Sequence, residues 1–168
     1  MREPRLTLEA QTEQEMSRIG AALAQALPDA AAGLLLTLEG DLGAGKTTLA
    51  RALLSGLGAP GPVRSPTYTL VEPYELAAGT VMHVDLYRLA SADELEALGY
   101  REARASSRLT IVEWPERAGT ALGPVDLHCR IEYADRGRRL HLTARSPHGE
   151  AWLGALDPRS ASRNAERY

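Results

Sequence analysis

The sequence predicts an α/β fold, and three observations carry that prediction. An apolar run, LLLTLE over 34–39, passes directly into a glycine-rich loop and then into an amphipathic stretch, giving the order strand, loop, helix. Two later apolar runs, VMHVDL and LTIVEW, each bring an acid to the end of a buried strand. Two pairs of alternating runs read as β-hairpins.

Bulk properties fit that class. A chain of 168 residues, 44% apolar and 24% charged, is long enough to bury a core of its own. We expect one domain over residues 1–156 and a disordered C-terminal tail over 157–168, because RSASRNAERY is polar and aperiodic. A net charge of -3 and a pI near 5.8 exclude a global attraction to nucleic acid or to an anionic membrane. The single cysteine, Cys129, excludes an internal disulfide and a multi-cysteine zinc site, and reads as a small buried hydrophobe. MREPRLTLEAQTEQEM lacks an apolar leader core, and no run reaches the roughly 18 apolar residues that span a bilayer. The expectation is a soluble, cytoplasmic protein without membrane attachment.

Taken in order, Met16, Ile19, Ala22, Leu23 and Ala26 recur at helical spacing behind Thr12, a capping residue with Glu15 three positions on. LLLTLE suits a strand buried on both faces. TTLARALLSGL then places Leu49, Ala52, Leu53 and Leu57 on one stripe, with Gly56 and Gly58 available to end the helix. VRSPTYTLVEPYEL and TVMHVDLYRL form the first hairpin around Ala78-Gly79. SADELEALGY has a serine cap at Ser91, Glu94 in the capping-box position and Gly99 as a stop, which predicts one short helix before the strand LTIVEW. VDLHCRIEYADRGRRLHLTARS folds back at Asp135 to Gly137 as a second hairpin, expected at the sheet edge.

Gly40 to Thr47 fits the spacing G-x-x-x-x-G-K-[ST], the phosphate-binding P-loop. Glycines at 40, 43 and 45 let backbone N–H groups turn toward a phosphate, and the following helix aims its positive end at the same anion. The candidate nucleotide-binding residues are therefore Asp41, Leu42, Gly43, Ala44, Gly45, Lys46, Thr47 and Thr48. Thr47 is placed to offer its hydroxyl to Mg²⁺, and Lys46 to reach the β and γ oxygens. Lys46 is the one lysine among 19 basic residues. A closed loop has room for a compact ammonium on a slim stem, whereas a guanidinium is a broad planar fork.

Asp85 and Glu113, each following an apolar strand, are candidates for the second metal-binding element of P-loop proteins. His83 shares a strand face with Asp85, a pattern too sparse to define a separate metal site. Ser65 and Thr67 in SPTYTLVEPY are placed to meet a γ-phosphate as a switch segment does.

GDLGAGKTT, SPTYTLVEPY, HVDLYRL, ELEALGY and IVEWPERA, in that order and at that spacing, resemble the TsaE (YjeE) family over roughly residues 12 to 145. The resemblance implies a P-loop NTPase-like three-layer fold with a central mixed β-sheet flanked by helices. It implies ATP as nucleotide, Mg²⁺ held by Thr47 and Glu113, and catalysis involving Lys46, Asp85, Glu113 and the switch residue Thr67. Trp114 resembles the family's tryptophan beside the nucleotide, and Arg138 a nucleotide-proximal arginine. Such proteins act with TsaD and TsaB in forming threonylcarbamoyladenosine (t6A) at adenosine 37 of tRNA, meeting the tRNA only through that complex. Two alternatives stay open on the residues alone: a small-molecule P-loop kinase, or a binding module that uses nucleotide without needing its hydrolysis.

Overall fold

The computed structural model of the chain describes residues 2–29, 32–63, 66, 69–162 and 165–168. Ser65 and Thr67 lie outside the described residues. In chain order the elements are β1 (Arg5–Ala10), α1 (Glu13–Ala26), β2 (Leu34–Glu39), α2 (Lys46–Gly56), β3 (Val71–Leu76) and β4 (Gly79–Asp85). They continue with α3 (Ala92–Ala97), α4 (Tyr100–Ser106), β5 (Leu109–Glu113), β6 (Leu127–Tyr133), β7 (Arg138–Ala144), α5 (Pro147–Ala155), α6 (Pro158–Ala161) and β8 (Ala165–Arg167). Two 3₁₀ turns, Pro115–Arg117 and Gly119–Leu122, follow β5.

Among the described residues the strands form one sheet in the order β3-β4-β5-β2-β6-β7-β1-β8. The four central strands, β4, β5, β2 and β6, are mutually parallel, and the flanking pairs are antiparallel, so the sheet is mixed. Leu34, Leu36 and Leu38 face α1, α2 and α5 in one core, while Leu35 faces a second core under α3, α4 and the 3₁₀ turns. The strand that leads into the glycine loop is thus covered on both faces, as its continuous apolar sequence requires.

Helix α1 begins as the sequence predicts, with Thr12 Oγ1 accepting from Glu15 N at 3.1 Å. The Glu15 carboxylate in turn accepts from Gln11 N at 2.5 Å, one residue before the cap. Gly20 lets α1 and α2 meet at close range, because a Cβ there would lie 2.4 Å from the Ala52 Cβ. The helix carrying the loop's lysine and threonines is therefore fixed by direct backbone-scale packing.

The structure differs from the sequence reading at four places. RLTLEA forms β1, whose Leu6 and Leu8 are fully buried, and it pairs with β7. The second hairpin consequently lies inside the sheet, with β1 and β8 beyond it, rather than at the edge. A second helix, α4, starts directly after Gly99, where a single short helix was expected. The expected frayed tail contains α6 and β8: β8 pairs antiparallel with β1, and the Ser162 hydroxyl joins both N and O of Glu9, at 3.1 and 2.7 Å. Main-chain pairing ties Ala165–Arg167 to β1, and a polar, aperiodic sequence carries no sign of it.

Helix α5 also carries no earlier signal, yet its Trp152 is fully buried and donates Nε1–H to the Leu23 carbonyl at 3.0 Å. Cys129 is buried, as expected of a small hydrophobe, and burial pushes its thiol far above the usual range.

Candidate functional site

Strand register gathers the site. β2 and β4 both run parallel to β5, with Leu38 and Asp85 each level with Glu113. The carboxyl ends of three strands thus open on one side of the sheet, where ligands bind in open α/β folds. The glycine loop leaves β2 there, and α2 starts at Lys46. Its cap, Gly45, has φ 112°, which favours glycine, and a Cβ at this position would lie 2.9 Å from the Met16 Cε.

Lys46 folds back over its own loop. Its ammonium donates to the carbonyls of Gly40 (2.5 Å) and Asp41 (2.9 Å) and lies 4.1 Å from the centre of the Trp114 ring. Burial lowers its pKa, opposed by the nearby charges of Glu113, Glu116, Asp85 and Asp41. Trp114 holds its ring there from a left-handed backbone conformation, φ 59° and ψ 50°, which costs a non-glycine residue about 1–3 kcal/mol. Tyr87 packs against the same indole at 5.0 Å between ring centres.

Thr47 and Glu113 are joined directly: the threonine hydroxyl donates to Glu113 Oε1 at 2.6 Å. The other carboxylate oxygen, Oε2, lies 2.6 Å from Nε2 of His83, which is fully buried. Nδ1 of His83 is buried without a hydrogen-bond partner among the described residues. A proton on Nε2 lets the ring donate to this oxygen. Beside it, Asp85 Oδ1 accepts from Tyr87 N at 3.0 Å. Burial raises the Asp85 pKa; the Tyr87 N–H lowers it, and Glu113 adds to the rise.

These groups line a cleft of about 350 Å³ that includes Lys46, Thr47, Thr48, Asp85, Glu113 and Trp114. A second cleft of about 320 Å³ lies on the other flank of the loop, bounded by Thr12, Met16, Gly45, Thr48 and Arg138. A larger hollow, about 1190 Å³, covers the open polar face of β6, β7 and β1, away from this cluster.

Chemically, the cleft offers backbone amides at a helix N-terminus, one ammonium and a hydroxyl–carboxylate pair. Thr47 Oγ1 and Glu113 are hard oxygen donors of the kind Mg²⁺ prefers, and loop plus helix end form an anion site. Among the described residues there is no cluster of three or more side chains that could hold a metal, and the contact His83 makes is with Glu113.

Of the residues picked from the sequence, Lys46, Thr47, Asp85, Glu113 and Trp114 converge in one cleft. Arg138 stands at the loop's other flank, its guanidinium donating to the carbonyls of Ala44 (3.0 Å), Gly43 (3.2 Å) and Gly137 (3.1 Å). Sequence reasoning missed the link from His83 to Glu113, and the parts played by Tyr87 and Tyr133. The alternation that puts His83 and Asp85 on one strand face was the available signal for the first.

Comparison with known proteins gives one consistent picture. A family model described as threonylcarbamoyl adenosine biosynthesis protein TsaE matches residues 10–141. The tRNA threonylcarbamoyladenosine biosynthesis protein TsaE of Haemophilus influenzae is 42% identical over 123 residues, 73% of this chain and 78% of that relative. The protein of the same name from Streptomyces coelicolor is 38% identical over 148 residues, 83% of this chain and 95% of that relative. Among solved structures, the crystal structure of YdiB from Bacillus subtilis is similar with a TM-score of 0.75 and 27% identity, covering 93% of this chain and 96% of that one.

Proposed function

The chain belongs to the TsaE family of threonylcarbamoyl adenosine biosynthesis, and from that membership we propose that it is a Mg²⁺-dependent ATPase of t6A formation. In this reading it acts with TsaD and TsaB and sustains repeated modification of adenosine 37 in tRNAs that read codons beginning with A. The observation that carries the reading is the 2.6 Å bond between Thr47, in the first turn of α2, and Glu113, at the end of β5. It joins the phosphate loop to an acid on a second strand, which a bare phosphate cradle does not require.

The phosphates of ATP lie against Asp41, Leu42, Gly43, Ala44, Gly45, Lys46, Thr47 and Thr48, with Trp114 and Arg138 flanking the nucleotide. Lys46 exchanges the carbonyls of Gly40 and Asp41 for phosphate oxygens, so the ammonium that now satisfies the loop serves the ligand. Thr47 and Glu113 would hold Mg²⁺, which would supply positive charge to the phosphate tail when bound. Asp85 orients the attacking water and accepts its proton, a task suited to a carboxylate whose pKa burial has raised. Thr67, outside the described residues, takes the switch role that the family resemblance implies. The acidic pI supports contact with tRNA through the partners rather than directly. No described helix is long and apolar enough to cross a membrane, and the proposed workplace is the cytoplasm, where tRNA is modified.

The test is t6A formation in a reconstituted system of the partner proteins and tRNA under multiple-turnover conditions. Lys46→Ala or Glu113→Ala should reduce the yield to that seen without this chain; an unchanged yield would overturn the proposal. Full multiple-turnover activity with a non-hydrolysable ATP analogue would favour a nucleotide-dependent binding module instead.

A further inference from the structure

We infer that Arg138 and Tyr133 are positioning residues that brace the phosphate loop from its outer side. They are cross-strand partners at the turn end of the β6–β7 hairpin. The Arg138 guanidinium stacks 4.1 Å from the centre of the Tyr133 ring. From this stacked pair, Tyr133 donates its hydroxyl to the Leu42 carbonyl at 3.0 Å, and Arg138 donates to the carbonyls of Gly43 and Ala44. Three consecutive loop carbonyls are thus held by one hairpin.

The peptide plane makes this a constraint on the amides. Across a trans peptide the N–H of one residue points opposite to the preceding C=O. Holding the carbonyls of Leu42 and Ala44 outward therefore turns the N–H groups of Gly43 and Gly45 toward the other side. The Ala44 N–H closes the turn on the Asp41 carbonyl at 3.0 Å. The loop is set in its phosphate-facing shape before any ligand arrives.

The brace has a rigid anchor. The hairpin turn is pressed against the junction of β1 and α1, where a Cβ on Gly137 would lie 2.1 Å from the Ala10 carbonyl oxygen. Gly137 also has φ 81°, so glycine is required twice over. Arginine suits position 138 for the reason lysine suits position 46. Only a planar fork can reach two loop carbonyls and its own turn while lying over a ring; an ammonium is a point donor.

This inference rests on the reading of the loop as a nucleotide site, but its main test does not need nucleotide. Amide hydrogen exchange is measured in nucleotide-free protein on peptides covering residues 40–48, for the natural chain, Arg138→Lys and Tyr133→Phe. Exchange in this segment is expected to rise about tenfold in Arg138→Lys, which loses bonds from a charged donor, and about threefold in Tyr133→Phe, which keeps the ring but loses one bond. Exchange in α5 should not change, which reports that each variant is folded. Affinity for Mg-ATP, measured by calorimetry, should fall in the same order.

Unchanged loop exchange in both variants, with ATP affinity lost only in Arg138→Lys, would make Arg138 a direct nucleotide contact and overturn the brace. If the natural chain failed to bind ATP, the proposed function would fall, while the exchange measurement would still decide whether the hairpin orders the loop.

Discussion

Replacing His83 by leucine removes the group 2.6 Å from Glu113 Oε2 while filling similar space in a fully buried position. Two effects on stability oppose each other. A hydrogen bond to a charged group contributes about 1.5–3 kcal/mol, and Nδ1 of the natural ring, buried without a partner among the described residues, costs about 1–3 kcal/mol, a penalty leucine does not carry. Leucine also leaves Glu113 Oε2 buried without its donor, a cost of about 1–3 kcal/mol that offsets the relief at Nδ1, so the variant should be destabilised by about 1.5–3 kcal/mol, a melting shift of about 3–12 °C in a chain of this size. Loss of a group that orients a metal ligand typically weakens metal affinity about 10- to 100-fold. The assay is a Mg²⁺ titration at saturating non-hydrolysable ATP analogue, followed by tryptophan fluorescence. His83→Leu should raise half-saturation by about that factor, leave binding of the analogue in chelator unchanged, and be largely rescued by His83→Gln, whose amide can donate to the same oxygen. An unchanged Mg²⁺ midpoint, or an equal loss of binding with and without Mg²⁺, would refute the assignment of His83 as the residue that orients Glu113.

Two further outcomes are expected. Burial raises the Asp85 pKa in the folded state, so ionising it opposes folding; the penalty is absent below the ordinary carboxylate range, where both states are protonated, and complete above the raised folded value. Asp85→Asn should accordingly melt higher than the natural chain at pH 7, with the gap closing as pH falls through that window, and should lose hydrolysis; a pH-independent gap in thermal melts would remove burial as the cause. Trp114→Leu should abolish the fluorescence change on adding ATP, since Lys46 leaves the face of this ring and Trp152 is sealed in the core; a surviving change in the emission spectrum would place the response elsewhere.

Much of the site was legible in the sequence because its parts are local. The loop from Gly40 to Thr47 is a contiguous segment whose residue types follow from the backbone it must adopt. Asp85 and Glu113 were visible because each ends an apolar strand, and strand ends are where a sheet of this class presents its acids. The shape of the Arg138 side chain was readable too, but not its direction, since a nucleotide-proximal arginine and a loop brace occupy the same hairpin position.

What the sequence by itself determined is the strand–loop–helix at the phosphate loop, the capped first helix, the two hairpins and several of the residues that one cleft brings together. Periodicity and spacing within short windows encode these, because each depends on neighbours in the chain. Only the tertiary structure decided which strands are neighbours: that β1 and β8 extend the sheet beyond the second hairpin, that His83 reaches Glu113, and that Tyr133 and Arg138 close on the loop's carbonyls. Those contacts are made by backbone groups and by side chains far apart in sequence. Every residue carries the same backbone donor and acceptor, so which one it meets leaves no mark in composition or period.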